Sequence, residues 1–393
     1  RFVLKSELRK KILKVRKKFN TKNIQLNFKQ ILKSDSLTAQ YLTEKLKIEV
    51  PTSRRKSTNF IEVIGAREHN LKNIDVIFPL NNLTVITGVS GSGKSTLVKK
   101  ILYPAMQKKL FGYGDKLGQF TEIKGSYSNL KHIEFIDQNP IGRSSRSNPV
   151  TYIKAYDDIR NLFSNQKLAK IRNYKPKHFS FNVEGGRCEV CKGDGEVTIE
   201  MQFMADVHLQ CENCDGKRFK KEVLEITFDN KSIDDILTST IDDAIAFFED
   251  NEQTKIVQKL KPLQDVGLGY VQLGQSSSTL SGGEAQRIKL ASFLGKGNTK
   301  DKALFIFDEP TTGLHFHDIK KLLKSFNALI ERGHSIIVIE HNIELIKCAD
   351  YIIDLGLEGG KKGGNLLFQG TPEELILNKK SYTSKYLKEK LVF

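Results

Sequence analysis

The residues best suited to chemistry in this 393-residue sequence begin with GVSGSGKS at positions 88–95. The segment fits G-x-x-x-x-G-K-[ST] and lies between an apolar run, NLTVITG, and a helical segment, TLVKKIL. Glycines in such a turn let backbone N–H groups surround phosphate oxygens, and the following helix N-terminus adds positive potential. Lys94 is predicted to reach the β- and γ-phosphates of ATP, and the Ser95 hydroxyl to bind Mg²⁺. The predicted phosphate and Mg²⁺ contacts from this loop are Gly88, Val89, Ser90, Gly91, Ser92, Gly93, Lys94, Ser95 and Thr96.

Two adjacent carboxylates stand at the end of a second apolar run, in the segment FIFDEP. Asp308 is predicted to hold Mg²⁺, directly or through water, and Glu309 to polarise the water that attacks the terminal phosphate. His341 ends a third apolar run and is a candidate contact to the γ-phosphate. Gln138, in FIDQNP, is a candidate sensor of the same group. The predicted catalytic set is Glu309, Lys94, His341 and Gln138.

Another glycine motif, TLSGGEAQR, occupies positions 279–287 and predicts a second helix N-terminus open to phosphate. In chain order the segments resemble the Walker A, Q-loop, signature, Walker B and His-switch motifs of the ATP-binding-cassette (ABC) superfamily. In that superfamily the signature of one cassette closes over ATP held by another. The resemblance therefore implies that Ser281, Gly282 and Gly283 act in trans, on a second copy of the chain or on an upstream cassette.

Four of the five cysteines form two C-x-x-C pairs separated by nineteen residues. Cys188, Cys191, Cys211 and Cys214 have the spacing of a four-thiolate zinc site, in which the metal is structural because no coordination position stays open. Disulfides are the alternative. A glycine two residues after each pair suits a turn whose amides point back to sulfur. The fifth cysteine, Cys348, is expected to be a buried helix residue.

The residues between the cysteine pairs predict a hairpin. Apolar and polar residues alternate through VTIEMQF, which predicts a strand with one buried face formed by Val197, Ile199, Met201 and Phe203. The letters MAD then turn the chain, and VHLQ returns it. Zinc would hold the base of this hairpin together.

Short, almost continuous apolar runs at 82–88, 303–309 and 335–341 predict strands buried on both faces, as in a parallel sheet. Helical spacing and a terminal glycine, Gly333, predict a helix between the last two runs, formed around Ile319, Leu322, Leu323, Phe326, Leu329 and Ile330. With the ABC resemblance, the expected fold class is α/β. It is an ABC-type P-loop ATPase core, a parallel-rich sheet with flanking helices, with an inserted α-helical signature domain that bears a zinc-stapled β-hairpin.

The expected organisation has four segments. SLTAQYLTEKL and SYTSKYLKEKL agree at seven of eleven positions, so the first copy is interpreted as the tail of an upstream cassette. The expected segments are 1–58, that tail plus a linker; 59–145, an ATP-binding lobe; 146–290, the signature domain with the hairpin at 186–219; and 291–393, the ATP-binding lobe continued.

The net charge of +17 is concentrated at one end of the chain. Residues 1–58 carry 17 Lys and Arg against 4 Asp and Glu, so the remaining residues contribute little of the excess. A solvated charge run explains this pattern without nucleic acid. No apolar run has the length of a membrane span, and the basic first residues lack the apolar core of a secretory signal. A cytoplasmic location is expected.

Longer segments narrow the resemblance to one family. GAREHNLKNI, IGRSSRSNPVTY, FSFNVEGGRCEVCKGDG and DVGLGYVQLGQSSSTLSGGEAQRIKLA are similar to the second cassette of the UvrA family. The resemblance implies an ATPase that dimerises, scans duplex DNA for damage in bacterial nucleotide excision repair and loads UvrB within the excinuclease complex, without being a nuclease itself. It also implies that the zinc hairpin helps to distinguish damaged DNA, and that Arg143 and Arg146 approach DNA phosphates. Surface or intramolecular salt-bridge arginines remain the alternative.

Three other interpretations stay open. A transporter-type ABC subunit lacks support, because no coupling surface for membrane helices is evident and the insertion between Lys94 and Ser281 is long. A non-enzymatic zinc module fits the cysteine pairs but not the intact Lys94, Asp308 and Glu309. A UvrA-like paralogue that confers resistance to DNA-binding drugs fits the sequence as well.

Overall fold

The computed structural model describes residues 32–142, 144, 146–199, 201, 206–296 and 301–391. The chain divides into two compact units, Arg1–Ile48 and Glu49–Phe393. The first unit contains a short helix, α1 (Leu37–Leu42). The Ser36 hydroxyl caps it by accepting the Ala39 N–H at 3.2 Å.

The centre of the second unit is a six-stranded sheet in the order β13-β12-β3-β11-β10-β5. Its strands are β3 (Leu83–Gly88), β5 (Leu130–Ile136), β10 (Lys302–Asp308), β11 (Ser335–Ile339), β12 (Tyr351–Gly356) and β13 (Asn365–Gly370). All neighbours are parallel except the β12–β13 pair. The three strands predicted from apolar runs are confirmed as β3, β10 and β11. Their side chains are buried almost throughout because both faces of the sheet are covered.

A smaller antiparallel sheet lies beside the central one, in the order β2-β1-β4. It consists of β1 (Phe60–Ala66), β2 (Ile74–Pro79) and β4 (Glu122–Gly125). The helix that follows the phosphate loop is π-wound over Thr96–Leu102 and continues as α2 (Tyr103–Phe111). Ile61 of the small sheet, Leu97 of this helix and Ile306 of the central sheet belong to one apolar core. The core therefore packs the helix that follows the phosphate loop against both sheets.

Helices are the main regular elements of the segment between β5 and β10. They are α3 (Pro149–Tyr152), α4 (Tyr156–Ser164), α5 (Lys167–Ile171), α6 (Lys221–Leu224), α7 (Ile233–Thr238), α8 (Ile241–Asp250), α9 (Thr254–Asp265) and α10 (Gly282–Leu294). Two small hairpins interrupt them, β6 (Glu196–Ile199) with β7 (Val207–Gln210), and β8 (Thr227–Phe228) with β9 (Lys231–Ser232). A 3₁₀ turn spans Pro176–Phe179.

After β10 the chain alternates helices with strands of the central sheet. Its helices are α11 (Phe316–Glu331), α12 (Ile343–Ile346), α13 (Pro372–Leu375) and α14 (Tyr382–Leu391), with a 3₁₀ turn at Gly360–Lys362. The six apolar residues predicted to line one helix are all buried on α11, and Gly333 follows it with φ +86°. That prediction is confirmed. Among the described residues, no helix combines the length and apolarity that crossing a membrane requires.

The polar segment after Ile48 is attached to the core of the second unit. The Arg55 guanidinium donates to Asp350 at 2.9 Å and to Asn327 at 2.8 Å. Asp350 is buried and also accepts the Leu83 N–H that begins β3. Arg54 pairs with Glu373 at 2.6 Å. This part of the expected linker is therefore anchored by ion pairs.

Candidate functional site

The phosphate loop follows β3 and turns on glycines in the left-handed region of φ. Gly88, Gly91 and Gly93 have φ of +129°, +76° and +106°. A Cβ at Gly88 would lie 1.9 Å from the Leu355 carbonyl oxygen, so no side chain fits there. Lys94 is buried, and its Nζ donates to the carbonyls of Gly88 and Val89, both at 2.9 Å. Burial lowers the pKa of Lys94, and the nearby carboxylates of Glu309, Asp354 and Asp308 oppose that shift.

The adjacent carboxylates lie at the C-terminal end of β10. Asp308 pairs with Lys99 at 2.7 Å, one turn beyond Ser95. The Glu309 N–H donates to Ile339 at the end of β11, at 2.9 Å. Because β3, β10 and β11 run parallel, their C-terminal ends meet at one edge of the sheet. This places the phosphate loop and both carboxylates at the same edge.

His341 and Gln138 converge on Glu309. The His341 Nε2 lies 3.6 Å from the Glu309 carboxylate, and the Gln138 side-chain amide donates to the Glu309 carbonyl at 3.3 Å. Burial lowers the pKa of His341, and the Lys94 charge lowers it further, against the pull of Glu309 and Glu340. The imidazole is therefore neutral at pH 7 and can accept or donate one hydrogen bond. The four residues predicted to be catalytic are thus brought to one place.

The signature residues begin helix α10. Ser281 caps the helix, with its hydroxyl accepting the Glu284 N–H at 3.2 Å and its N–H donating to the Glu284 carboxylate at 2.8 Å. Tyr270 donates to the other oxygen of that carboxylate at 2.7 Å. Burial and Glu284 raise the pKa of Tyr270 to about 12, so it remains a donor at neutral pH. A Cβ at Gly282 would meet the Gln138 side chain at 2.8 Å, so the Q-loop and signature are in contact.

Gln286 connects the signature helix to the sheet, a link that the motif alone does not reveal. Its side-chain amide donates to the carbonyls of Ile136 at 2.8 Å and Asp308 at 3.2 Å, the last residues of β5 and β10. It is 1% exposed. Gln286 lies within the quoted motif, but only its burial shows that it faces inward. Tyr270 contacts the same helix but could not be found from the sequence, because it lies eleven residues before Ser281 and no periodicity marks it.

The four cysteine sulfurs form a buried cluster within 4.8 Å of one another. The Cys188–Cys211 and Cys191–Cys214 sulfur distances are 3.9 and 3.6 Å, and all four thiols are free. Sulfurs bound tetrahedrally at a Zn–S distance of about 2.3 Å would lie roughly 3.8 Å apart. The donor set and its spacing therefore fit zinc, and the disulfide alternative does not apply. Cys348 is buried as expected but lies in the turn after α12, not within a helix.

Hydrogen-bond donors surround these sulfurs. The Gly195 N–H points to the Cys191 sulfur at 3.3 Å, and the Asn213 amide to the Cys188 sulfur at 3.2 Å. Burial alone would raise the pKa of Cys188, but hydrogen bonds from the backbone N–H groups and from Asn213 outweigh it and lower the pKa to about 6. At Cys191 and Cys214 burial outweighs the same kind of donor and raises the pKa, so of these three thiols Cys188 is the one that the donors favour as a thiolate, the form that binds metal. The glycines after each pair, Gly193 and Gly216, have φ of +92° and +75°, as the predicted turns require.

The hairpin between the cysteine pairs is confirmed, but its predicted buried face is wrong. Strands β6 and β7 pair as expected, with the cysteines at their base. Every residue of both strands is exposed, including the apolar cross-strand pairs Val197–Leu209 and Ile199–Val207. Met201 is 37% exposed, and Phe203 lies outside the described residues. The alternation correctly predicts a strand, but among the described residues no second layer covers its apolar face.

The two arginines predicted to approach DNA have different outcomes. Arg143 lies outside the described residues. Arg146 makes a two-nitrogen ion pair with Asp194, both bonds at 3.0 Å, and Asp194 follows the first cysteine pair. The intramolecular alternative therefore describes the Arg146 contact in this structure. DNA binding by either residue stays a prediction.

Fold and site together define an ABC-type P-loop core with a signature helix and a four-cysteine hairpin. No family model matches the chain. It is 55% identical over 358 residues to UvrABC system protein A of Clostridium perfringens, and 55% identical over 354 residues to that of Staphylococcus epidermidis. These matches cover 91% and 90% of this chain but 38% and 37% of the relatives. The crystal structure of UvrA2 from Deinococcus radiodurans matches with a TM-score of 0.83 and 40% identity, over 91% of this chain and 43% of that one. Over about nine tenths of its length the chain is therefore similar to these UvrA proteins, and it spans less than half of their length.

Proposed function

We propose that this chain is the second cassette of a UvrA protein, the ATP-dependent damage-recognition subunit of bacterial nucleotide excision repair. The observation that carries the proposal is the 55% identity to UvrABC system protein A over 91% of the chain. We divide the chain as expected from sequence, with 146–290 as a signature domain inserted between the two parts of an ATP-binding lobe.

The edge of the central sheet supports ATP hydrolysis. Lys94 and the N–H groups of the phosphate loop would bind the phosphates in place of the Gly88 and Val89 carbonyls that Lys94 now contacts. Ser95 and Asp308 would hold Mg²⁺, which neutralises charge on the phosphates. Glu309 would accept a proton from the attacking water, and the neutral His341 beside it would keep that carboxylate oriented.

A complete site requires a second signature. The N-terminus of α10 offers the Ser281 hydroxyl and the amides of Gly282 and Gly283 to phosphate, as the ABC resemblance implies for a partner's nucleotide. The Ser281 oxygen already accepts the Glu284 N–H, so its own proton is available to a phosphate oxygen. We propose that the partner is a second copy or an upstream cassette.

The remaining parts of the function rest on family resemblance and donor chemistry. We propose that the cysteine cluster binds one structural Zn²⁺ and fixes the base of the hairpin, and that the hairpin and Arg143 contact duplex DNA. UvrB and the excinuclease complex would be the protein partners. Since its DNA substrate lies in the cytoplasm of bacteria, we place the protein there.

ATP turnover measured against protein concentration, with and without damaged duplex DNA, tests the proposal. A rate per chain that rises with concentration would indicate composite sites formed by two copies, and stimulation by damaged DNA above intact DNA would support a repair role. Lys94→Ala is the control, and it should abolish turnover. Turnover that is insensitive to DNA would contradict the repair assignment, and turnover that survives Lys94→Ala would contradict the site.

A further inference from the structure

A second glycine-rich segment, EGGKKGG at 358–364, packs against the outside of the phosphate loop. The Gly360 N–H donates to the Gly91 carbonyl at 3.0 Å, and the Gly364 N–H to the Ser92 carbonyl at 3.1 Å. A Cβ at Gly359 would lie 2.5 Å from the Ser90 carbonyl oxygen. The two backbones therefore touch directly, although more than 250 residues separate them in sequence.

Asn70 also takes part in this contact. It is half-buried in the loop between β1 and β2, and its amide donates to the carbonyls of Gly91 at 2.9 Å and Gly360 at 3.0 Å. The neighbouring Lys72 N–H donates to the Gly364 carbonyl at 2.9 Å. A Cβ at Gly364 would lie 1.8 Å from the Asn70 carbonyl oxygen, so this contact requires glycine.

These bonds determine which way the peptides of the phosphate loop face. In a planar trans peptide the C=O of one residue and the N–H of the next point in opposite directions. Donors that hold the Gly91 and Ser92 carbonyls outward therefore turn the N–H groups of Ser92 and Gly93 inward. The Ser92 N–H does point across the loop, where it donates to Val89 at 3.2 Å.

We propose that Asn70 and segment 358–364 are positioning elements of the nucleotide site, which orient the Ser92 and Gly93 amides toward the phosphates. The proposal rests on ATP binding at this loop. Under this proposal Asn70 promotes binding of the phosphates and does not contact the base or ribose of the nucleotide.

Competition binding on the full chain separates these roles. Trinitrophenyl-ATP is displaced by ATP or by inorganic tripolyphosphate, each with Mg²⁺, in the wild type and in Asn70→Ala. Loss of two bonds that orient the loop should weaken both ligands by the same factor, about ten. Asn251→Ala is the matched control, because the Asn251 amide also donates two bonds, to Asp229 and Phe247, outside the nucleotide site. It should leave both affinities unchanged.

The glycine contact has its own pair of variants. Gly364→Ala places a methyl group against Asn70, whereas Gly112→Ala creates a similar left-handed alanine, φ +79° against +86°, with nothing within 4 Å. The two positions are therefore matched in φ, and only Gly364→Ala should weaken tripolyphosphate binding.

Each outcome decides the question. A loss for ATP alone would make Asn70 a nucleoside contact and overturn the proposal, as would unchanged affinities in Asn70→Ala. If Gly364→Ala does not fold, the Asn70 variant still gives the answer. A wild-type chain that binds neither ligand would contradict the proposed function itself, which is a separate result.

Discussion

Glu309 adopts a backbone conformation that residues other than glycine rarely adopt. Its φ is +47°, in the left-handed region, and the conformation is held by its N–H bond to Ile339 and by the Gln138 bond to its carbonyl. Strained residues of this kind occur where a site requires a fixed direction. Here the direction is toward His341, 3.6 Å away. The geometry supports Glu309 as the base and gives Gln138 a role in holding it.

Glu309→Gln tests this role directly. The amide keeps the shape of the side chain but cannot accept the proton from water, so turnover should fall at least about a hundredfold while ATP still binds. Turnover and trinitrophenyl-ATP binding are measured together, with the exposed Glu331→Gln as control. Unchanged turnover would remove Glu309 from the mechanism.

His334 should make the free energy of unfolding depend on pH. It is buried, and its Nδ1 accepts the Ala303 N–H at 3.1 Å. Burial, with Lys302 and Arg332 nearby, lowers its pKa below the ordinary 6.5. As pH falls below about 6.5 the unfolded chain binds a proton that the folded chain does not, so the free energy of unfolding should fall, by up to about 1.4 kcal/mol per pH unit.

Urea denaturation at pH 7.5, 6.5 and 5.5 measures that loss. His334→Asn retains an acceptor near the Nδ1 position but does not titrate, so the variant should lose less stability between pH 6.5 and 5.5 than the wild type does. His341 changes in the same direction in both proteins and cancels from the comparison. Equal losses would show that His334 does not cause the dependence.

At the scale of elements, the cysteine hairpin shows which predictions a sequence permits. The spacing of Cys188, Cys191, Cys211 and Cys214 predicts a tetrahedral donor set, because each C-x-x-C pair forms its half of the site within four residues. Alternation likewise predicts β6 and β7. Whether a second layer covers one face depends on distant parts of the chain, so the burial prediction failed. Among the described residues, the hairpin is fixed by its sulfur cluster and not by a core beneath its strands.

Removing one thiolate tests that conclusion. Cys191→Ser should reduce zinc content from one atom per chain to near zero and expose 186–219 to proteolysis, while the melting temperature of the remaining core changes little. Cys348→Ser is the matched control, because it removes a buried thiol outside the cluster and should retain zinc. Full zinc content in Cys191→Ser would exclude this ligand set.

At the scale of the whole molecule, topology brings together residues that are far apart in sequence. The phosphate loop, Asp308 and His341 follow parallel strands of one sheet, so their meeting at one edge was predictable. The contact of segment 358–364 with that loop was not, because a glycine-rich run alone predicts only a turn. The same applies to Gln286, whose burial depends on how α10 packs against the ends of β5 and β10.

Gln286→Met tests whether this contact couples the signature helix to the carboxylates or only stabilises the fold. Methionine has a similar length but donates no hydrogen bond, so the buried carbonyls of Ile136 and Asp308 lose their donor, and the free energy of unfolding should fall by about 1–3 kcal/mol. If Gln286 couples the signature helix to the carboxylates, the rise of turnover with protein concentration should also flatten while ATP affinity is kept. The exposed Gln258→Met should change neither quantity. Reduced stability with an intact concentration response would limit Gln286 to a structural role, because the signature would then reach the partner nucleotide without it.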